Sequence, residues 1–235
     1  MLLQGNDFSR ILTIYITQLI FSGIFLIIAY KILKRNRNRL TLTLSGFYFS
    51  LSIGFILNAV YPPLDNELLV SIVYIIAAYF VLLSPIFLVL FNINLLQAGK
   101  EKLIRKWALY IILYTFSLII CLNIPGGITF VKDPNWRPEF ALKVLIVLYI
   151  FITIFMLIPL IITSFKLYKS FEDIKLKKKL GLFFLGLFGF LFTLYGLVYY
   201  NYSDDLLFKL IWSIITSIIT LICVGLIYYA WVHRL

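Results

Sequence analysis

Few side chains in this sequence could carry chemistry, and those that could are hydroxyls and amides set inside long apolar runs. Gln18 and Ser22 stand four residues apart, as do Gly46, Ser50, Gly54 and Asn58 in the next run, so each set falls on one helix face. Tyr110, Tyr114, Ser117 and Cys121 form a third stripe, and Ser213, Thr216, Ser217 and Thr220 a fourth. Amides and hydroxyls on facing helices can hold a neutral polar ligand through hydrogen bonds. They can equally bond to carbonyls one turn away or across an interface, and the stripe Gly46, Ser50, Gly54 lets another helix approach closely. The ligand-cavity candidates are thus Gln18, Ser22, Asn58, Tyr114, Thr216 and Thr220, with helix packing as the competing role of each.

Other chemistries are excluded by what is missing. The single histidine, His233, sits beside Arg234, so no histidine-based metal site or triad can be assembled from this chain. Cys121 and Cys223 lie in apolar runs without metal spacing, which makes them packing residues. No Asp, Glu, Lys, Arg or His lies near the middle of an apolar run, and proton relays, ion pathways and voltage sensors are built on such residues. The expectation is a protein that is not an enzyme, with no catalytic residue, metal or cofactor.

The elements that position these side chains are membrane spans. Of 235 residues 63% are hydrophobic and 13% charged, and the mean hydropathy of +1.02 is beyond what a soluble domain of this size sustains. Seven spans of an all-α bundle are expected, over 11–33, 40–61, 68–94, 108–123, 139–167, 180–199 and 206–231. Residues 1–10 lack the features of a signal peptide, so the first span is retained. Lys166, Lys169, Lys175, Lys177, Lys178 and Lys179 form the largest basic block, and basic residues are retained in cytoplasmic loops, which puts the N-terminus outside and the C-terminus inside. With that orientation the inner segments hold 16 basic and 3 acidic residues, the outer ones 5 and 7. Orientation thereby accounts for the formal charge of +11, and the expected partner is a bilayer with an anionic inner leaflet, not nucleic acid.

Several local expectations follow. Pro62-Pro63 ends the second span, and Pro85 and Pro159 each free a backbone carbonyl within a span, which calls for a kink packed against neighbours. The connection 123–140, with two glycines and three prolines, is the outer loop best able to form a lid. Glu139/Lys143 and Asp205/Lys209 have the i,i+4 spacing of exposed helix-start pairs. Leu167, Phe171 and Ile174 suggest that the fifth span runs on as an amphipathic extension. Sliding the sequence on itself by 140 residues aligns spans one to three with five to seven without a gap, placing Gly46 on Gly186 and Asp65 on Asp205, which suggests a 3+1+3 parallel repeat.

Seven spans with an outer N-terminus resemble the layout of rhodopsins and G-protein-coupled receptors, but the residues decide against both. Lys209 stands at the end of the last span, not its centre, and Asn92-Ile93-Asn94 occupies the place of an Asp-Arg-Tyr-like triplet. The repeat resembles SWEET and PQ-loop carriers, whose prolines match in both halves. Here Pro85 aligns with Gly225 and Pro159 with Leu19. In layout the whole chain resembles the seven-helix sensor modules of microbial histidine kinases and related signalling proteins. That resemblance implies a receptor or sensor in the cell membrane for a small or lipophilic ligand, acting through a cytoplasmic signalling partner docked on the basic block. A uniporter for a neutral solute and a structural subunit associating with other membrane subunits are the alternatives.

Overall fold

The computed structural model describes residues 17–96, 104–132 and 135–232. Its helices are α1 (Leu19–Arg35), α2 (Arg39–Val60), α3 (Glu67–Leu96), α4 (Ile104–Leu122), α5 (Leu142–Ile152), α6 (Ile158–Ser170), α7 (Ile174–Tyr202) and α8 (Leu206–Val232). A π-helical turn, Thr153–Leu157, joins α5 to α6 in one continuous rod. Strands β1 (Ile128–Lys132) and β2 (Trp136–Phe140) form an antiparallel hairpin between α4 and α5. Five rods are long and apolar enough to cross a membrane, and a further apolar helix, Ala108–Leu122, is shorter. These mark a multi-pass membrane protein, and the apolar faces left exposed fit that solvent. On α4 the residues Leu109, Ile112, Leu113, Phe116 and Ile120 all point away from the bundle.

Small residues set the closest helix pairs. A Cβ on Gly54 would stand 2.6 Å from Val81 Cγ2 and 2.9 Å from the Val81 backbone nitrogen, so α2 and α3 touch there through their main chains. Gly46 faces the Phe87 ring in the same groove, and between them Ser50 donates to Phe80 O at 2.8 Å. On the other side of the bundle Gly186 of α7 meets the Cys223 carbonyl of α8. The core between these pairs is aromatic. Phe47, Tyr48, Phe91, Phe183 and Phe190 are buried, with Phe47 edge-on to Phe190 at 5.2 Å.

The two prolines inside rods create the backbone problem expected of them, and α4 helps to solve it. Pro85 leaves Val81 O without its usual N–H, and Ser84 donates to that oxygen at 2.7 Å. The adjoining carbonyl, Leu82 O, accepts from the Tyr114 hydroxyl of α4. Four residues before Pro159 stands Phe155, whose carbonyl accepts from the hydroxyl of Tyr110, one turn before Tyr114 on α4. The π turn lies in that same stretch, its Thr153 O accepting from Ile158 N in an i→i+5 bond.

Four expectations need correction. The fifth span starts at Leu142, not 139, because Pro125-Gly126 makes a turn with Gly126 at φ 58° and sends the chain into a hairpin. Glu139 therefore sits in β2 and pairs with Arg137 at 3.4 Å, while Lys143 donates to Pro125 O, so the i,i+4 pair does not form. The helix carrying Leu167 ends at Ser170. Phe171 is extended and the chain turns at Asp173, whose carboxylate accepts from Lys175 N at 2.8 Å to start α7, so Ile174 belongs to the next helix. Lys175 and Lys177–Lys179 accordingly lie in the first turns of α7 and not in a loop.

The helix contact at Gly54 gives a stability prediction. Gly54→Ala forces a methyl against the α3 backbone, costs about 1–3 kcal/mol of stability through overpacking and so lowers the melting temperature of the detergent-purified protein. Gly23→Ala, on α1 with no neighbouring atom within 4 Å of the new methyl, leaves it unchanged or slightly raised.

Candidate functional site

At the hairpin end of the bundle the helices part around a cavity of about 130 Å³. A cavity of roughly 150 Å³ holds a benzene-sized molecule, so this one suits a single small organic group. Its lining comes from α2, α3, α4, α5, α7 and α8 together with β2.

Helix α8 supplies the most polar wall. Asp205 starts it by accepting from Leu207 N at 2.9 Å and Phe208 N at 3.3 Å. Starting there, helical spacing brings Lys209, Trp212, Ser213 and Thr216 to the cavity as one stripe, i, i+3, i+4 and i+7. The Trp212 indole lies across Gly196 of α7, where any Cβ would overlap it, and is stacked on Phe208 at 5.9 Å and edge-on to Phe192 at 5.5 Å. That clamp fixes the ring, yet Trp212 Nε1 is buried with no hydrogen-bond partner, and so is Thr216 Oγ1 one turn further. Ser213 differs, donating to Leu210 O at 2.8 Å.

Opposite α8, Asn58 Nδ2 donates to Gln18 Oε1 at 2.6 Å, joining α2 to the residue just before α1. Both amides line the cavity. The hairpin covers the mouth with Arg137, Pro138 and Phe140. It is held down by Trp136, whose Nε1 donates to Leu64 O at 2.7 Å and whose backbone N–H donates to Pro62 O at 3.4 Å. Tyr74 joins Phe140 and Tyr61 beneath it, edge-on at 6.4 and 5.2 Å. The ion pair Lys132–Asp65 at 3.6 Å is exposed and adds little. Arg137 Nε is buried, 3.4 Å from Glu139 Oε1 but without a well-formed hydrogen bond.

Of the six candidates, the structure brings Gln18, Asn58 and Thr216 together at one cavity and leaves the other three outside it. Ser22 is buried, with its hydroxyl on Leu19 O at 2.8 Å and its carbonyl accepting from Ser52. Tyr114 is buried and committed to Leu82 O, and Thr220 is buried on the turn of α8 after Thr216. Sequence reasoning missed Lys209, Trp212 and Arg137. The α8 stripe was legible at helical spacing had tryptophan been counted as a polar group. Arg137 was not, because nothing in the sequence places residue 137 over the bundle. Cys121 and Cys223 are buried and unbridged, and among the described residues no cluster of His, Cys, Asp and Glu could hold a metal ion. His233 lies outside the described residues.

The amide pair gives a second prediction. Asn58→Leu and Gln18→Leu each leave a half-buried amide unpaired and destabilise by about 0.5–1.5 kcal/mol, whereas the double substitution costs less than their sum. A double-mutant cycle by thermal unfolding in detergent measures the difference, and strict additivity would disprove the coupling. No protein-family model, characterised protein or solved structure matches the chain, so its function is argued from this geometry.

Proposed function

We propose that this chain is a seven-span protein of the cell membrane, N-terminus outside and C-terminus inside, that binds a small ligand beneath the hairpin and signals through a cytoplasmic partner. The observation that carries the reading is the confinement of the cavity to one end. Its lining residues all belong to the hairpin half of the bundle, while in the other half Phe91 and Phe183 pack at 5.5 Å within a closed aromatic core. A pocket with a sealed floor favours binding over passage. The helix irregularities at Pro85 and Thr153–Leu157 fall in the third and fifth spans, not at corresponding places in two halves, and matched helix breaks are the mark of a carrier.

The orientation follows the basic end. There Lys34, Lys169 and Lys177 stand over Tyr30, Phe165 and Tyr168 at 5.9, 4.4 and 5.6 Å, in keeping with cations and rings at a membrane–water boundary. The cluster Lys175, Lys177, Lys178 and Lys179 occupies the start of α7, where the helix dipole disfavours positive charge and the first turn has no acidic residue. Its placement works against the helix and suits a negatively charged surface outside it, at about 1 kcal/mol per basic residue near anionic lipid. Together with Lys166 and Lys169 it forms the docking face for the partner. The 140-residue repeat is supported by one geometric match: Gly46 against Phe87 in the first half is repeated by Gly186 against Ile227 in the second.

Two measurements test the proposal. An impermeant maleimide added to intact cells labels Asp65→Cys, and it labels Lys177→Cys only after permeabilisation; the opposite pattern would reverse the topology. Tagged protein purified in mild detergent brings down a soluble signalling protein, and this is lost when Lys175, Lys177, Lys178 and Lys179 are changed to Gln. Recovery of other membrane subunits at stoichiometric level, unaffected by those changes, would make the chain a structural component instead.

A further inference from the structure

Buried polar atoms without partners are rare, and each calls for an explanation. Among the described residues there are four such side-chain atoms: Asn92 Oδ1, Arg137 Nε, Trp212 Nε1 and Thr216 Oγ1. Three of the four belong to residues that line the one cavity under the hairpin. Chemistry narrows what would satisfy them. An indole N–H and a guanidinium N–H can only donate, and a threonine hydroxyl can do so. Two of the three unpartnered groups beside the cavity therefore call for an acceptor, and the third can use one.

Charge points the same way. Two cationic side chains, Arg137 and Lys209, line the cavity and no carboxylate does. Arg137 Nε stands 3.4 Å from Glu139 Oε1, a carboxylate 35% exposed and so partly screened by solvent, and Lys209 Nζ lies 5.8 Å from the Tyr200 ring centre. Around these groups the walls are hydrocarbon and aromatic, from Phe55, Ala78, Val81, Leu148 and Leu197. Water in the cavity could accept from the indole, but a charged acceptor makes the stronger hydrogen bond with such donors.

We infer that the cavity takes an amphipathic anion: a carboxylate or phosphate head accepting from Arg137, Lys209 and the Trp212 indole, carried on a compact apolar body of about the size of a ring. This rests on the reading of the cavity as a binding site and goes beyond it by fixing the ligand's charge. The same head could belong to a free organic acid or to an anionic lipid that enters between helices.

The test uses the full-length protein in nanodiscs of phosphatidylcholine, with phenylacetate, phenylacetamide and phenethylamine as probes of one shape and three charges. By calorimetry the acid binds at least about tenfold more tightly than the amide, and the amine does not bind. Trp212→Phe and Arg137→Gln each weaken the acid about tenfold or more and leave the amide unchanged, since each removes a hydrogen bond to a charged group. Thr216→Val, nearly isosteric, leaves the melting temperature of the empty protein unchanged or raised, because the hydroxyl has no partner there; a clear drop would show a structural bond and remove one of the three supports. Equal binding of acid and amide, or preference for the amine, overturns the anion assignment while the binding-site reading stands. If none of the three binds but phosphatidylglycerol in the nanodisc raises the melting temperature in an Arg137-dependent way, the head is a lipid's and the assignment holds. If neither a probe nor the lipid has an effect, the assignment and the binding-site reading fall together.

Discussion

In hydrocarbon every backbone carbonyl must find a donor inside the protein, and this constraint governs how the bundle is held together. Pro85 and Pro159 disturb two rods at mid-length, and α4 answers with two tyrosines one turn apart, Tyr114 on Leu82 O and Tyr110 on Phe155 O. Much of α4 otherwise faces outward, with Ile112 and Phe116 both more than 60% exposed. Its hold on α3 and on the π turn thus depends heavily on these hydroxyls and on the ring contacts that accompany them, such as Tyr114 with Phe151 at 4.9 Å. Polar side chains serve here as glue between helices that lipid gives little reason to associate.

The same logic separates the two ends of the molecule. Towards the basic end, small residues and rings close the interior, and buried hydroxyls are spent on local carbonyls, as Thr163 is on Pro159 O at 2.7 Å. Asn92 shows the limit of that economy: its Nδ2 reaches Thr163 and Ser164 at 3.3 and 3.2 Å, and its oxygen is left unpaired. Towards the hairpin end the aromatic packing opens, and beside the gap Trp212 Nε1 and Thr216 Oγ1 are buried without a hydrogen-bond partner.

How much of this the sequence discloses depends on the range of the interaction. Apolar runs and charge placement were enough for the rods, because both are local and periodic. The contact of Gly54 with α3, the Gln18–Asn58 amide bond and the need to repair Pro85 were all implicit in residue type and spacing. The hairpin was not: 123–140 reads as a proline- and glycine-rich loop, and only pairing ten residues apart, Thr129 with Glu139, makes it a sheet. The end of the fifth rod was misread for a similar reason. Leu167, Phe171 and Ile174 keep a helical period across a real break, since Asp173 caps a new helix more effectively than Phe171 continues the old one. Tyr114 was assigned to a cavity because a buried hydroxyl looks the same in sequence whether its partner is a ligand or a carbonyl.

The hairpin has a kinetic side. Arg137, Pro138 and Phe140 form the roof of the cavity, and the roof is fastened to the Pro62–Leu64 turn by the two hydrogen bonds of Trp136. An occupant that passes through the roof does so while those fastenings are undone. By that route the rate at which the strand lifts is a ceiling on exit, and two molecules of very different affinity would share that ceiling.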